Sequence, residues 1–232
     1  MITRMTQGPD AVIYLSDSRG CTQNKTFRSF HTFNYGTLYS EHRKPFRRLI
    51  TFNDETLAGG TNVLHLPIRN SMVIVLPLAG DVVCEASTGK NAKVGAGQAC
   101  LFALAAGQEV SITNPFAEEH VNYLYIELET NGIQGTNDLV THFDLYTSPD
   151  TLLSLFTEVE NFSMQIGQFT GRHDDVFVPP ANSKGMFVFV IDGEFEAANR
   201  LLHMRDALSI DKTEQLEFEA LSNEAVLLII SL

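Results

Sequence analysis

Between Leu57 and Pro115 the chain repeats one pattern: a short apolar run, a glycine turn, then another short run. Ser71-Met-Val-Ile-Val-Leu-Pro-Leu-Ala ends at Gly80, and Cys100-Leu-Phe-Ala-Leu leads to Gly107. Segments of this length, bounded by polar turns, read as strands of a closed antiparallel sheet. Around them the pattern predicts strands over Ala11–Leu15, Phe46–Phe52, Asn62–Ile68, Met72–Leu78, Asp81–Ala86, Glu109–Thr113 and Val121–Leu128. Phe27–Phe33 alternates bulky and polar groups and reads as an edge strand or an extended arm. Asn53-Asp54 is expected to end the strand before it, and Leu57–Gly60 to form a loop.

A second set of strands follows and echoes the first. It spans Leu139–Tyr146, Phe162–Phe169, Asp175–Val178, Met186–Ile191, Phe195–Ala198, Ala207–Ile210, Gln215–Ala220 and Ala225–Ser231. Leu152–Phe156 fits either a short helix capped by Asp150 or a buried strand. Asp192-Gly193 carries the two-residue hairpin signature. The Gly-, Asn- and Thr-rich segment 131–137 is the best linker. The expectation is all-β, with two tandem antiparallel barrels over 1–130 and 138–232.

With 232 residues, 44% of them apolar, a core of this size needs neither metal nor disulfide for stability. A net charge of −12 argues against a general nucleic-acid or membrane-surface binder, which needs clustered Lys and Arg. The one basic knot, Arg43-Lys44-Pro45-Phe46-Arg47-Arg48, reads as a solvated loop. Cys21, Cys84 and Cys100 are odd in number and lack CxxC spacing, which fits a reducing compartment. The first residues have no apolar segment of signal-peptide type, so a cytoplasmic location is expected.

Taken in order, Ser16-Asp-Ser-Arg-Gly20, Phe30-His-Thr-Phe33, Leu49-Ile-Thr-Phe-Asn-Asp54, Phe187-Val-Phe-Val-Ile-Asp-Gly-Glu194 and Val226-Leu-Leu-Ile-Ile-Ser-Leu232 resemble the pirin-type bicupins of the cupin superfamily. The resemblance covers most of the chain. It implies two cupin barrels and, in metal-binding members, four ligands in the N-terminal barrel: two histidines before one strand and a later pair after a glycine turn. Counting from Gly80, Gly97 and Gly107 puts those positions at Leu66, Ile68, Val110 and Ile112. All four are aliphatic, so the resemblance implies a metal-site-degenerate member with no cofactor. The four would face one another as a continuous apolar core and line a small ligand-binding pocket, with His65 as a rim or surface residue beside them. A one-residue slip would turn His65 inward, but a lone imidazole makes a poor metal site.

No catalytic residue is assigned. His31 is expected to pack with one hydrogen bond. His120, His203 and the His173-Asp174-Asp175 cluster read as solvated turns. The expected function is a non-catalytic small-molecule-binding or regulatory protein, whose partner is a small apolar ligand or a protein. Two alternatives stand beside it: a metal-dependent quercetin-type dioxygenase, and a redox-responsive cysteine module.

Overall fold

The computed structural model describes residues 10–132, 139–159 and 162–232. The chain divides into two units, Ser18–Asp144 and a second that joins Leu145–Leu232 to the N-terminal segment ending at Asp17. Strand β1 (Ala11–Tyr14) pairs in full register with a strand of the second unit, Ala11 opposite Ile210 and Tyr14 opposite Ala207. The barrel boundaries therefore differ from the expected cuts. The chain begins in one barrel, builds the other, and returns. Residues 133–137 of the expected linker lie outside the described residues.

The Ser18–Asp144 unit contains β2 (Gly20–Gln23), β3 (Phe27–His31), β4 (Leu49–Leu57), β5 (Asn62–His65), β6 (Ser71–Ala79), β7 (Val82–Ala86), β8 (Asn91–Val94), β9 (Gln98–Leu104), β10 (Val110–Thr113), β11 (Val121–Glu129) and β12 (Leu139–His142). A seven-stranded sheet has the order β12-β9-β6-β11-β4-β3-β2, and a four-stranded sheet has the order β5-β10-β7-β8. The edge strand is thus β2, and the Phe27–Phe33 segment lies one place inside it.

The other unit adds β13 (Leu153–Leu155), β14 (Ser163–Phe169), β15 (Asp174–Phe177), β16 (Gly185–Asp192), β17 (Phe195–Ala197), β18 (Arg200–Leu202), β19 (Ala207–Asp211), β20 (Leu216–Ala220) and β21 (Ala225–Ser231). Its sheets run β1-β19-β16-β21-β14-β13 and β15-β20-β17-β18. The four-stranded orders match strand for strand, and the larger sheets match in their shared six places, with β2 an addition to the first, so the echo in the sequence is a repeat of topology. Leu152–Phe156 resolves as strand β13, not helix. Gly193 takes φ +74°, and a Cβ there would meet the Ser222 hydroxyl, so the hairpin requires glycine.

Central strands are apolar on both faces because both faces are covered. In β6 the first seven residues are buried, and in β16 the same holds for the first seven. Val, Ile, Phe and Tyr suit such strands, since branched and aromatic side chains pack well on a pleat. Inside the first barrel, Val73, Val75, Val82, Cys84, Phe102, Leu104, Val110 and Ile112 form one cluster with Tyr123 and Tyr125. No helix among the described residues is long and apolar enough to cross a membrane.

Candidate functional site

Two expectations about the strands needed correction, and together they reveal the site. Strand β4 does not stop at Asn53-Asp54; it continues through Glu55 to Leu57. Strand β5 stops at His65, three residues short of its expected end. Both corrections follow from pairing. Thr51 to Leu57 are all held in register by β11, with Tyr123 opposite Glu55 and Tyr125 opposite Asn53. Beyond His65, no strand partner holds residues 66–68.

Directly opposed residues on antiparallel strands share a face. Val110 opposes His65, and Ile112 opposes Val63. Val110 and Ile112 are buried in the barrel core, as expected. The same register turns His65 inward and Leu64 outward. Leu66 and Ile68 are 54% and 80% exposed, so the four aliphatics do not face one another. His65 is no surface histidine: its side chain is 14% exposed. Alternation along β5 was read one residue out of phase, because the strand was extended through Pro67.

His65 stacks on Tyr125, with ring centroids 3.8 Å apart and planes at 14°. Phe27 meets it edge-on at 6.5 Å. Its Nε2 lies 3.0 Å from Oε2 of Glu55, whose side chain is 1% exposed. Glu55 Oε1 accepts hydrogen bonds from the Ser29 hydroxyl at 3.1 Å and from Nδ2 of Asn53 at 3.1 Å. Burial on its own would raise the Glu55 carboxyl. The His65 charge and the donors around it, His65, Asn53 and Tyr123, outweigh burial and hold it below the ordinary value.

The polar wall continues on both sides. Asn53 donates to Glu55, so its Oδ1 accepts from Nδ1–H of His31 at 3.0 Å. Burial lowers the His31 pKa and favours the neutral ring, whose Nε2 then accepts from the Thr22 hydroxyl at 2.9 Å. His31 also stacks on Tyr35 at 4.2 Å. It thus makes two hydrogen bonds where one was expected. On the other flank, the Tyr125 hydroxyl donates to Glu127 at 2.6 Å. Burial, then the neighbouring carboxylates, push the hydroxyls of Tyr123 and Tyr125 well above the ordinary phenol value.

Three atoms at the centre remain incompletely served. Nε2 of His65, Oε2 of Glu55 and the Tyr123 hydroxyl are all buried, and none has a hydrogen bond of good geometry among the described residues. The 3.0 Å contact between the first two is therefore close, but it is not aligned as a hydrogen bond. Buried polar atoms are normally satisfied, so a convergent group of three that is not marks a place where something polar fits.

The other candidates disperse. His173 approaches Asp150 at 3.7 Å, while Asp174 and Asp175 are exposed. His203 meets Glu194 at 3.2 Å on the surface, and His120 is exposed. All three cysteines are free thiols; Cys84 and Cys100 are buried in the barrel core, and Cys21 is exposed.

Sequence reasoning missed Glu55, Asn53, Ser29, Tyr123 and Tyr125 as a group. The available signal was the absence of glycine or proline between Leu49 and Ala58: nothing there forces a turn, so Asn53-Asp54 could remain strand.

Comparison with known proteins agrees with this architecture. Residues 161–231 match the family described as the quercetinase C-terminal cupin domain. No curated protein matches the chain in sequence. The structure of YhhW from Escherichia coli superposes with a TM-score of 0.83 at 16% identity, covering 96% of this chain and 97% of that one. The nickel(II) complex of the bacterial pirin YhhW gives 0.80 at 16% identity, over 96% and 99% of the two chains. Quercetin 2,3-dioxygenase from Acinetobacter baumannii gives 0.70 at 11% identity, over 97% and 87%.

One protein of this fold is a nickel(II) complex, but the side chains of the N-terminal barrel here do not fit an ion. Among the described residues, no group of three or more His, Cys, Asp or Glu side chains could hold an ion. The single inward imidazole is already paired with the single carboxylate, and Val110 and Ile112 supply only methyl groups opposite them. The two-barrel topology and the superposition over nearly the whole chain show that this protein has the fold of the bacterial pirins, with a second barrel that matches a cupin domain.

Proposed function

We propose that this chain is a metal-independent small-molecule-binding bicupin, and that its ligand sits in the N-terminal barrel against Glu55, His65 and Tyr123. The observation that carries the reading is the convergence of those three buried, poorly bonded polar atoms beside the apolar core of the barrel. Binding sites commonly pair an apolar lining with a few fixed polar groups. The aromatic faces of Tyr125 and Phe27 around His65, with Leu66 and Ile68 exposed just beyond it, favour a small, largely apolar and planar molecule. Its one or two polar atoms would complete the unmet hydrogen bonds.

The aliphatic Val110 and Ile112 argue against the metal-dependent dioxygenase reading. An oxygen-activating ion needs several protein donors plus an open position, and this wall offers too few. Elemental analysis tests the proposal. After expression in medium supplemented with iron and nickel, followed by dialysis, metal should fall far below one ion per chain. A stoichiometric ion overturns the metal-independent reading. Native mass spectrometry of the same sample should show a small-molecule adduct on the wild type that is lost from Glu55→Leu.

A further inference from the structure

The imidazole of His65 has two nitrogens in different settings. Nε2 is buried and faces the Glu55 carboxylate at 3.0 Å. Nδ1 has no hydrogen-bond partner among the described residues and is not among the buried unpartnered atoms, so it reaches solvent through the 14% of the side chain that remains open. The ring is held in place by the Tyr125 face behind it and by the edge of Phe27. The negative charge of a carboxylate 3.0 Å from one ring nitrogen favours a proton on that nitrogen and stabilises the imidazolium, leaving the other nitrogen as a base.

We propose that Glu55 and His65 form an acid–base dyad, and that Nδ1 of His65 removes a proton from a weakly acidic, uncharged, planar aromatic molecule at the barrel mouth. His65 is the catalytic residue, since Nδ1 touches the substrate. Glu55 is a positioning residue, itself anchored by Ser29 and Asn53. An uncharged substrate suits the apolar neighbours of His65, with Leu66 and Ile68 exposed beyond it and Val110 opposite it. The proton is carried by the imidazolium and returned to water, so the step needs no oxidant or metal. The dyad rests on the metal-independent reading only in that an ion bound to His65 would occupy the base.

The groups that bear on His65 are Glu55 from β4, Tyr123 and Tyr125 from β11, and His31 from β3. The two phenols stay neutral through the working range because burial holds their hydroxyls high. His31 is pushed toward its neutral form by burial. Glu55 is the carboxylate next to the ring, and Glu127, which accepts from the Tyr125 hydroxyl, is the next one along the wall.

The probe is 5-nitro-1,2-benzisoxazole, which reports a protein base without redox chemistry. Nδ1 takes the C3 proton, the C–H electron pair becomes the new nitrile π bond, and the N–O bond breaks to release a coloured phenolate. Wild-type protein should accelerate this elimination by about tenfold or more over His65→Gln, within the usual contribution of a general base. The wild-type rate should rise with pH along a limb that His65→Gln lacks. Glu55→Gln should shift that limb to lower pH, because the imidazolium loses its counter-charge; a merely structural Glu55 would leave its position unchanged.

Equal rates for wild type and His65→Gln overturn the dyad. Should His65→Gln fail to fold, long-range proton–nitrogen NMR on the wild type decides instead. Neutral His65 protonated on Nε2 supports the proposal, and protonation on Nδ1 overturns it. Runs with and without EDTA separate the two readings: activity lost with EDTA refutes metal independence, whereas activity absent in both refutes the dyad alone.

Discussion

In the C-terminal barrel, Phe169 meets Phe218 edge to face at 5.1 Å and Phe195 at 6.0 Å, and the buried polar residue on the same strand face as Phe169 is the uncharged Gln165. The N-terminal barrel, with the same strand order, carries a carboxylate, an imidazole and two phenols on its wall. The registers allow the two to be compared row by row. Leu57 opposite Val121 matches Phe169 opposite Ala225. One row further in, Glu55 opposite Tyr123 becomes Gly167 opposite Leu227. On the smaller sheets, Val110 opposite His65 becomes Leu216 opposite Phe177. A Cβ at Gly167 would lie 2.8 Å from the Phe169 ring, so that barrel has closed over the position where the other keeps a carboxylate. At these matched rows the scaffold does not require an ionisable pair, so Glu55 and His65 of the N-terminal barrel need another reason to be there.

The largest effects should come from each barrel's central residues, for opposite reasons. Phe195→Ala leaves a cavity among aromatic rings and should cost about 3–5 kcal/mol in urea unfolding. Glu55→Leu strands His65 and the donors Ser29 and Asn53, and should cost up to about 3–5 kcal/mol. The combined Glu55→Leu and His65→Leu variant should recover much of that loss, because an apolar wall like the other barrel's replaces the pair. A double variant as unstable as the single would show that the pair is a structural necessity, and the contrast between the barrels would lose its functional meaning.

A middle-sized effect would sharpen the contrast with metal-binding relatives. Val110 faces His65 directly, and Glu55 lies 3.0 Å from that ring. Val110→His would place a second imidazole beside an existing imidazole and carboxylate. Without metal, the new buried polar group should lower stability by about 1–3 kcal/mol. Zinc(II) or nickel(II) should bind and raise the melting temperature of the variant alone, as measured by calorimetry. A variant that binds no ion would show that geometry, beyond donor identity, has been lost from this wall.

The fold was legible because each strand announces itself locally. Glycine turns at Gly80 and Gly107 and the Asp192-Gly193 hairpin fix the frame, and alternation fixes the faces. The inward placement of Val110 and Ile112 was also legible. What failed was phase. Pro67 sits in an apolar stretch that reads as strand, yet no partner strand reaches it, so His65 was placed on the wrong side. The carboxylate failed for a related reason: Asn53-Asp54 favours turns locally, but pairing with β11 overrides that preference. Strand β1 shows the same limit, since nothing within Ala11–Tyr14 says that its partner lies at Ala207–Asp211.

The smallest effect is the dependence of stability on acid, which should concentrate in the N-terminal barrel. The folded His31 pKa lies below its unfolded value of about 6.5 because burial favours the neutral ring. Its contribution is therefore complete above that pH and declines as pH falls through the lowered folded value. Glu55 is held below its unfolded value of about 4.3, so its contribution is present above that pH and lost only in stronger acid. Asp150, in the other unit, is also held low, first by the backbone amide of Thr170, but it is exposed and screened by solvent. Hydrogen exchange from neutral pH down to about pH 5 should thus show loosening of β3 and β4 first, with β16 and β21 unchanged. His31→Gln should flatten that first phase and leave the deeper acid transition in place. Equal loosening of both barrels would place the acid sensitivity elsewhere than in the polar wall.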